Sequence, residues 1–392
     1  MRKLVFIFIL FLTLATHAQQ PAGEGLIMRI LAQAPDSAFR STTSFSAFLK
    51  TRFTSDNDIL KAVYFWVAKS ITYDAENMYK ISFEENPAEL IARTFRTRKA
   101  ICQGYAELFN DLCHRTGVKS YVVHGFTKQE GEVRNSGHAW IVANVSNEWY
   151  GIDPTWGSGY VHDGRFFRSF TLDYFMVPPE IFILSHMPFD PMWQCMDHPV
   201  SLQDFYFGKS ALKEEGDIFK YADSINRFEH LPAITQNQVI LSRIEENGIR
   251  NTVFRDYADF LKQSIENERL AKVYQYHMEV AGYLNEAVVH YNKAANLFNR
   301  YISYFNRQFK PGMTDAGIRQ MIDTCNSLLK TAGHLITRVD PFDKEISQNT
   351  DQLKYLIRKL QDDIDEQKAF VVKYLNTPKE FRARLFRKSP GS

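Results

Sequence analysis

One change of rhythm divides the 392-residue chain. Up to about residue 205 the apolar positions fall into short stretches, some at helical and some at strand spacing, interrupted by Gly and Pro. Beyond Pro232 they fall into long runs of helical spacing, with breaks near Pro311, Pro341 and Pro378. Short mixed elements followed by long helices fold as an α+β unit and then an all-α one. A length well above the usual domain size of roughly 100–200 residues also calls for two domains. The expected division is a signal segment over 1–18, a flexible lead-in over 19–43, an α+β domain over 44–205 and an α-helical domain over 206–392.

The first residues set the expected compartment. Arg2 and Lys3 precede an apolar run from Leu4 to Ala15, and Thr16-His17-Ala18 offers small residues for cleavage. This pattern reads as a secretory signal cleaved after Ala18, and it is too short to span a bilayer as a mature helix. Gln19, not a cysteine, would follow the cut, which points away from a lipid-anchored product. The expected location is periplasmic or extracellular, with no integral membrane segment after signal removal. A net charge of +2 argues against nucleic acid as a partner.

Four cysteines in an exported chain raise the matter of disulfides. Cys102 and Cys113 on one helix would stand about 16 Å apart, beyond bridging distance. Cys195 and Cys325 would pair only if the two domains met there, so reduced thiols are expected throughout.

In chain order, Asp56-Asn57-Asp58 caps a helix with Ile59, Leu60, Val63, Tyr64, Trp66, Val67 and Ile71 apolar, Trp66 serving as a core anchor. A short helix runs from Pro87 through Ile91. The basic run Arg98-Lys99 then gives way at Cys102 to a helix carrying Tyr105, Leu108, Phe109 and Leu112 on one face and closed by Gly117. Strands follow over Lys119–Phe126, His138–Val145 and Trp149–Asp153, with turns at Glu130-Gly131-Glu132 and Asn147-Glu148. The proline-rich stretch from Pro154 to Pro199 wraps the first domain. Helices are expected over Thr252–Gln308, Thr314–Arg338 and Phe342–Leu375, the last with a heptad stripe of Leu353, Ile357, Leu360, Ile364 and Val371. Lys379 to Lys388 reads as a basic, solvated tail.

Acyl transfer needs a nucleophile, a base and donors for an oxyanion. A cysteine in the first turn of a helix sits at the positive end of the helix dipole, a field that favours the thiolate. Cys102 has that position, and the backbone N–H of Gln103 points toward the charge that would develop. His138, expected at the start of a strand beside Gly137, supplies an imidazole. Asp153, fifteen residues on across a hairpin, would hold its second nitrogen. Trp140 and Trp156 flank the three as candidate cleft walls, with packing as their other use; His124, His162, His186 and Cys113 read as structural. No close ligand pair accompanies the three, so no metal or other cofactor is expected. None of these residues decides the matter alone; the three in order on the right elements do.

Those residues resemble the transglutaminase-like superfamily, in particular the branch that includes kyphoscoliosis peptidase. The likeness runs from about Ile59 to Phe205 and rests on Ile71-Thr72-Tyr73-Asp74, Cys102-Gln103-Gly104-Tyr105-Ala106, Gly137-His138-Ala139-Trp140, Ile152-Asp153-Pro154-Thr155-Trp156-Gly157 and Pro188-Phe189-Asp190-Pro191-Met192-Trp193. It departs at Ala100, where family members carry Gly and where a left-handed backbone would suit Ala poorly. The resemblance implies a cysteine-proteinase-like core with Cys102 as nucleophile, His138 as base and Asp153 as its orienter. It implies an enzyme acting on protein or peptide amides through a thioester: a peptidase, a deamidase or a cross-linker. The alternative is a catalytically silent exported binding or scaffold module. Substrate identity and oligomeric state are not legible.

Overall fold

The computed structural model describes residues 23–208, 218–248, 252–339 and 344–386. The expected signal segment, 1–18, lies outside these residues. The chain divides into two compact units, one through Glu266 and one from Asn267.

The first unit opens with α1 (Glu24–Ala32) and α2 (Thr42–Arg52), so much of the expected lead-in is ordered helix. Ile27 and Leu31, one turn apart, are buried in the core, with Met28 and Ile30 packed half-buried against it. Next comes α3 (Asp56–Ser70), whose first turn is held by Ser55 Oγ accepting from Asp58 N at 3.2 Å. It buries Ile59, Leu60, Val63, Tyr64, Trp66 and Val67, each apolar side chain contributing about 1.5–3 kcal/mol when fully covered. Trp66 is the core anchor expected, packed on Phe45 at 4.4 Å and capped by the Arg98 guanidinium at 4.4 Å.

β1 (Thr72–Tyr73) pairs in parallel with β2 (Lys99–Ala100), and α4 (Pro87–Thr97) lies between them in sequence. α4 runs past Ile91 because Thr94 and Phe95 continue its buried face. Ala100 lies in extended strand pairing opposite Tyr73, not in a left-handed turn, so the absent Gly costs no backbone strain. α5 (Cys102–Thr116) follows directly and ends at Gly117, φ 97°.

β3 (Lys119–Gln129), β4 (Glu132–Val145) and β5 (Glu148–Ile152) form two successive hairpins. The small hairpin of β6 (Gly159–His162) and β7 (Arg165–Arg168) and the single turn α6 (Pro179–Phe182) lead to β8 (His186–Pro188). The sheet order is β5-β4-β3-β8, antiparallel throughout. Alternate residues of β4 serve two cores. Ala139, Ile141 and Ala143 join the cluster containing Tyr105, Leu108, Phe109 and Leu112 of α5. Trp140 and Val142 join a second cluster with Phe182, Met187, Phe189 and Trp193.

That second cluster explains why the first unit continues past residue 205, where sequence alone set the boundary. α7 (Leu202–Phe207), α8 (Tyr221–Glu229), α9 (Ala233–Asn247) and the first turns of α10 (Thr252–Asn306) bury Phe205, Ile225, Phe228, Ile240, Ile244, Phe254 and Tyr257 in it. Arg243 of α9 grips Asp190 with two hydrogen bonds of 2.7 and 2.6 Å.

The second unit contains the rest of α10, α11 (Asp315–Ile336) and α12 (Lys344–Asn376), a mostly helical assembly as expected. Along α12, Leu353, Ile364 and Val371 are buried, with Ile357 and Leu360 half-buried beside them. The basic tail is not free. Lys379–Phe386 forms a 3₁₀ helix whose Phe386 ring packs on Phe370 at 5.2 Å and Phe305 at 5.4 Å, while Arg382 pairs with Asp315 at 2.6 Å. Lys388 lies outside the described residues. No helix among the described residues is long and apolar enough to cross a membrane.

Candidate active site

Three elements bring the expected residues together. Cys102 is the first residue of α5, with Ile101 as its N-cap. The first i→i−4 bond of that helix is Tyr105 N to Ile101 O at 3.2 Å, so the N–H groups of Cys102, Gln103 and Gly104 have no partner in the helix ladder. Gly104 is required where it stands, because a Cβ there would lie 2.6 Å from Ala100 Cβ and 2.7 Å from Thr94 Oγ1. The start of α5 thus packs hard against β2 and α4.

His138 stands midway along β4 and not at its start. The strand begins earlier, at Glu132, because Val133 and Glu132 still pair with Lys128 and Gln129 beyond a register shift, a pairing that their polar sequence does not advertise. Opposite His138 is Gly125, where a Cβ would meet the Trp140 ring at 2.4 Å and Met187 O at 2.1 Å. Asp153 follows the last residue of β5 and is wholly buried. Its Oδ1 accepts from Thr155 N at 2.8 Å and Trp156 N at 3.2 Å, an Asx turn that aims Oδ2 back at the sheet. His138 Nε2 donates to that Oδ2 at 2.7 Å, which leaves Nδ1 for Cys102, whose charge bears directly on the imidazole.

The electrostatics follow from burial and pairing. Burial pushes the His138 imidazole down, but the Asp153 charge and the Cys102 side chain outweigh it and raise it to about 10. Burial pushes the Asp153 carboxyl up, and His138 and His186 together hold it well below the usual carboxylate range. Tyr73 of β1 faces the same place, its phenol raised by burial and by the charges of Cys102 and Asp153.

The remaining candidates divide. Gln103 turns its side chain away, donating from Nε2 to Ser82 O at 3.0 Å, so only its backbone N–H remains for an oxyanion. Trp156 is half-buried and lies over both imidazoles, 5.8 Å from His138 and 4.6 Å from His186. Trp140 is 1% exposed and packs on Phe182 and His186, so packing is its use here. Cys113 and Cys195 are buried thiols pushed up by desolvation, and Cys325 is pushed up to about 11.

His186 is the residue that sequence reading set down as structural rather than as part of the site. β8 pairs it with Thr127 of β3, and its Nε2 lies 3.3 Å from the same Asp153 Oδ2. The only hint was its place in the proline-rich wrap that shares the family likeness. His138, Asp153 and His186 offer ligand atoms within 4.8 Å of one another, the one such group among the described residues. With both imidazole N–H groups directed at the carboxylate, those atoms serve hydrogen bonds.

The thiol itself is enclosed. Cys102 is 1% exposed, and Ile81 and Ser82 from the loop before α4 lie against Gly137 and Gln103, the neighbours of His138 and Cys102.

Residues 47–154 match the transglutaminase-like superfamily. They form a transglutaminase-like domain. The chain is 31% identical over 160 residues to the kyphoscoliosis peptidase of Mus musculus, covering 38% of this chain and 24% of that protein. It is 31% identical over 162 residues to the kyphoscoliosis peptidase of Homo sapiens, with the same shares of 38% and 24%. To the Lim and transglutaminase domain protein ltd-1 of Caenorhabditis elegans it is 24% identical over 194 residues, covering 43% of this chain and 25% of that one. The chain therefore spans about a quarter of the length of these curated relatives.

Proposed function

We propose that the transglutaminase-like domain is a cysteine enzyme acting on protein or peptide amides. Cys102 Sγ attacks the amide carbonyl carbon after passing its proton to His138. The first-turn N–H groups of α5 take the oxyanion, His138 returns the proton to the departing amine, and a thioester remains on Cys102. Water or a second amine then attacks the thioester. Asp153 keeps the imidazole in the tautomer and orientation this requires. The observation that carries this reading is the convergence of the three side chains, with His138 hydrogen-bonded to Asp153 and electrostatically coupled to Cys102. Two curated relatives bear the name peptidase, which favours water as the acceptor. The test is to incubate the protein with a mixture of peptides and a labelled primary amine, quench in acid and map Cys102 by mass spectrometry. An acyl adduct on Cys102 with shortened peptides supports a peptidase, and amine incorporation supports transamidation. Neither adduct nor product, in wild type and Cys102→Ala alike, overturns the reading.

A second reading has its own support. With Cys102 1% exposed, the domain as it stands is closed to a peptide. A binding or scaffold module needs no access to the sulfur, an enzyme does. Export belongs to the same proposal, and a mature N-terminus at Gln19 is its test.

A further inference from the structure

Asp153 is wholly buried, and a buried ionised carboxylate needs a donor for each of its roughly four acceptor sites. Three are accounted for by the parts already assigned: Thr155 N and Trp156 N on Oδ1, and His138 Nε2 on Oδ2. The fourth donor comes from a different segment. His186 Nε2 lies 3.3 Å from Oδ2, in a ring that is itself 1% exposed.

Every side of the His186 ring is fixed. Its face stacks on Phe182 at 4.0 Å and 13°, Trp156 lies 4.6 Å away, and Trp140 meets it edge-on at 5.2 Å. Its Nδ1 lies 2.8 Å from Ser185 Oγ, a hydroxyl also 3.4 Å from Phe182 O. Facing an ionised carboxylate, Nε2 must carry a proton. A charged His138 ring centred 5.9 Å away makes a second positive charge unfavourable. Burial, first, and that neighbouring charge outweigh the Asp153 carboxylate and the Phe182 backbone, which favour the charged ring, and press His186 toward the neutral form.

We propose that His186 is a positioning residue for the proposed acyl transfer. As the neutral Nε2–H tautomer, with Ser185 Oγ–H donating to Nδ1, it completes the donor shell of Asp153. It thereby keeps the carboxylate ionised and aimed at His138. The inference rests on the enzymatic reading above, since it assigns a purpose to the His138–Asp153 pair. It gives the chemistry a requirement outside residues 47–154, in the three-residue strand β8.

Two measurements test it. In the folded wild-type protein, ¹⁵N-histidine NMR is expected to show His186 with a protonated Nε2 and an unprotonated Nδ1. A proton on Nδ1 alone, or on both nitrogens, overturns the proposal. The second is the rate at which iodoacetamide alkylates Cys102, compared among variants. His186→Phe keeps an aromatic ring against Phe182 but has no donor, and it is expected to lose about tenfold or more, the worth of a hydrogen bond to a buried charge. His186→Gln loses the ring but can place an amide N–H on Oδ2, and it is expected to recover most of that rate. The reverse order, or equal rates for His186→Phe and wild type, overturns the proposal and leaves the enzymatic reading intact. If wild type and His138→Ala alkylate at the same rate, it is the enzymatic reading that fails.

Discussion

Replacing Asp153 by Asn keeps the size of the side chain and removes its charge, which makes it the sharpest probe of the pair with His138. The carboxylate oxygen lies 2.7 Å from Nε2 and neither group has appreciable contact with solvent. Burial pulls the imidazole down, and the Asp153 charge is the foremost influence lifting it from 6.5 to about 10. Without that charge the imidazole moves back toward 6.5; the full return corresponds to about 5 kcal/mol of lost imidazolium stabilisation. Histidine ¹⁵N NMR titration of both proteins is the assay. His138 is expected to lose its second proton at least about two pH units lower in Asp153→Asn than in wild type. The pH dependence of stability follows with definite signs. Asp153, held below its ordinary 3.8, contributes stability above that value and loses it as pH falls further. His138, held above 6.5, contributes fully below 6.5 and loses it as pH rises toward about 10. The stability gap between wild type and Asp153→Asn is therefore widest between 3.8 and 6.5 and narrows on both sides. A His138 midpoint unchanged by the substitution, or a gap that widens above pH 8, would refute this account of the pair.

Gln103→Leu removes the 3.0 Å bond to Ser82 O, worth about 1 kcal/mol, and is expected to speed amide hydrogen exchange around Ser82 and Cys102 alkylation by about fivefold. Unchanged exchange there would mean that Gln103 does not hold the loop. Gly104→Ala sets a new Cβ 2.6 Å from Ala100 Cβ and is expected to cost about 1–3 kcal/mol in chemical denaturation. Adding Ala100→Gly should recover part of that cost, and strict additivity of the two substitutions would show that they do not meet. Phe386→Ala is expected to cost about 2 kcal/mol and to loosen α12 in hydrogen exchange, since the ring packs on Phe305, Phe370 and Tyr374. A solvated tail would show neither effect.

What was legible in the sequence is what local period and capping record. The helix opened by Cys102, the β3–β4–β5 meander and the three long helices each carry their pattern within one segment, so their elements appear where expected to within a few residues, except that β4 starts six residues before His138. What was not legible depends on distant partners. β8 is three residues long and owes its existence to pairing with β3, some sixty positions earlier, so nothing near His186 foretells its bond to Asp153. The first unit extends to Glu266 because Ile240, Ile244, Phe254 and Tyr257 bury against the back of the sheet, while their helical period looks the same as that of the helices beyond. In the tail, Leu385 and Phe386 sit among Arg and Lys, and charge masked the two residues that dock. At Ala100, where the likeness breaks and a different loop geometry was open, the residue is extended and pairs with Tyr73.

The claim on which the functional reading depends is that His138 activates Cys102 over the three other thiols. Limiting iodoacetamide near neutral pH, followed by peptide mass spectrometry of Cys102, Cys113, Cys195 and Cys325, measures it directly. The prediction is modification concentrated on Cys102 and suppressed in His138→Ala, because burial raises the pKa of the other three thiols. Modification spread evenly over the four, or a Cys102 rate indifferent to His138, would contradict it.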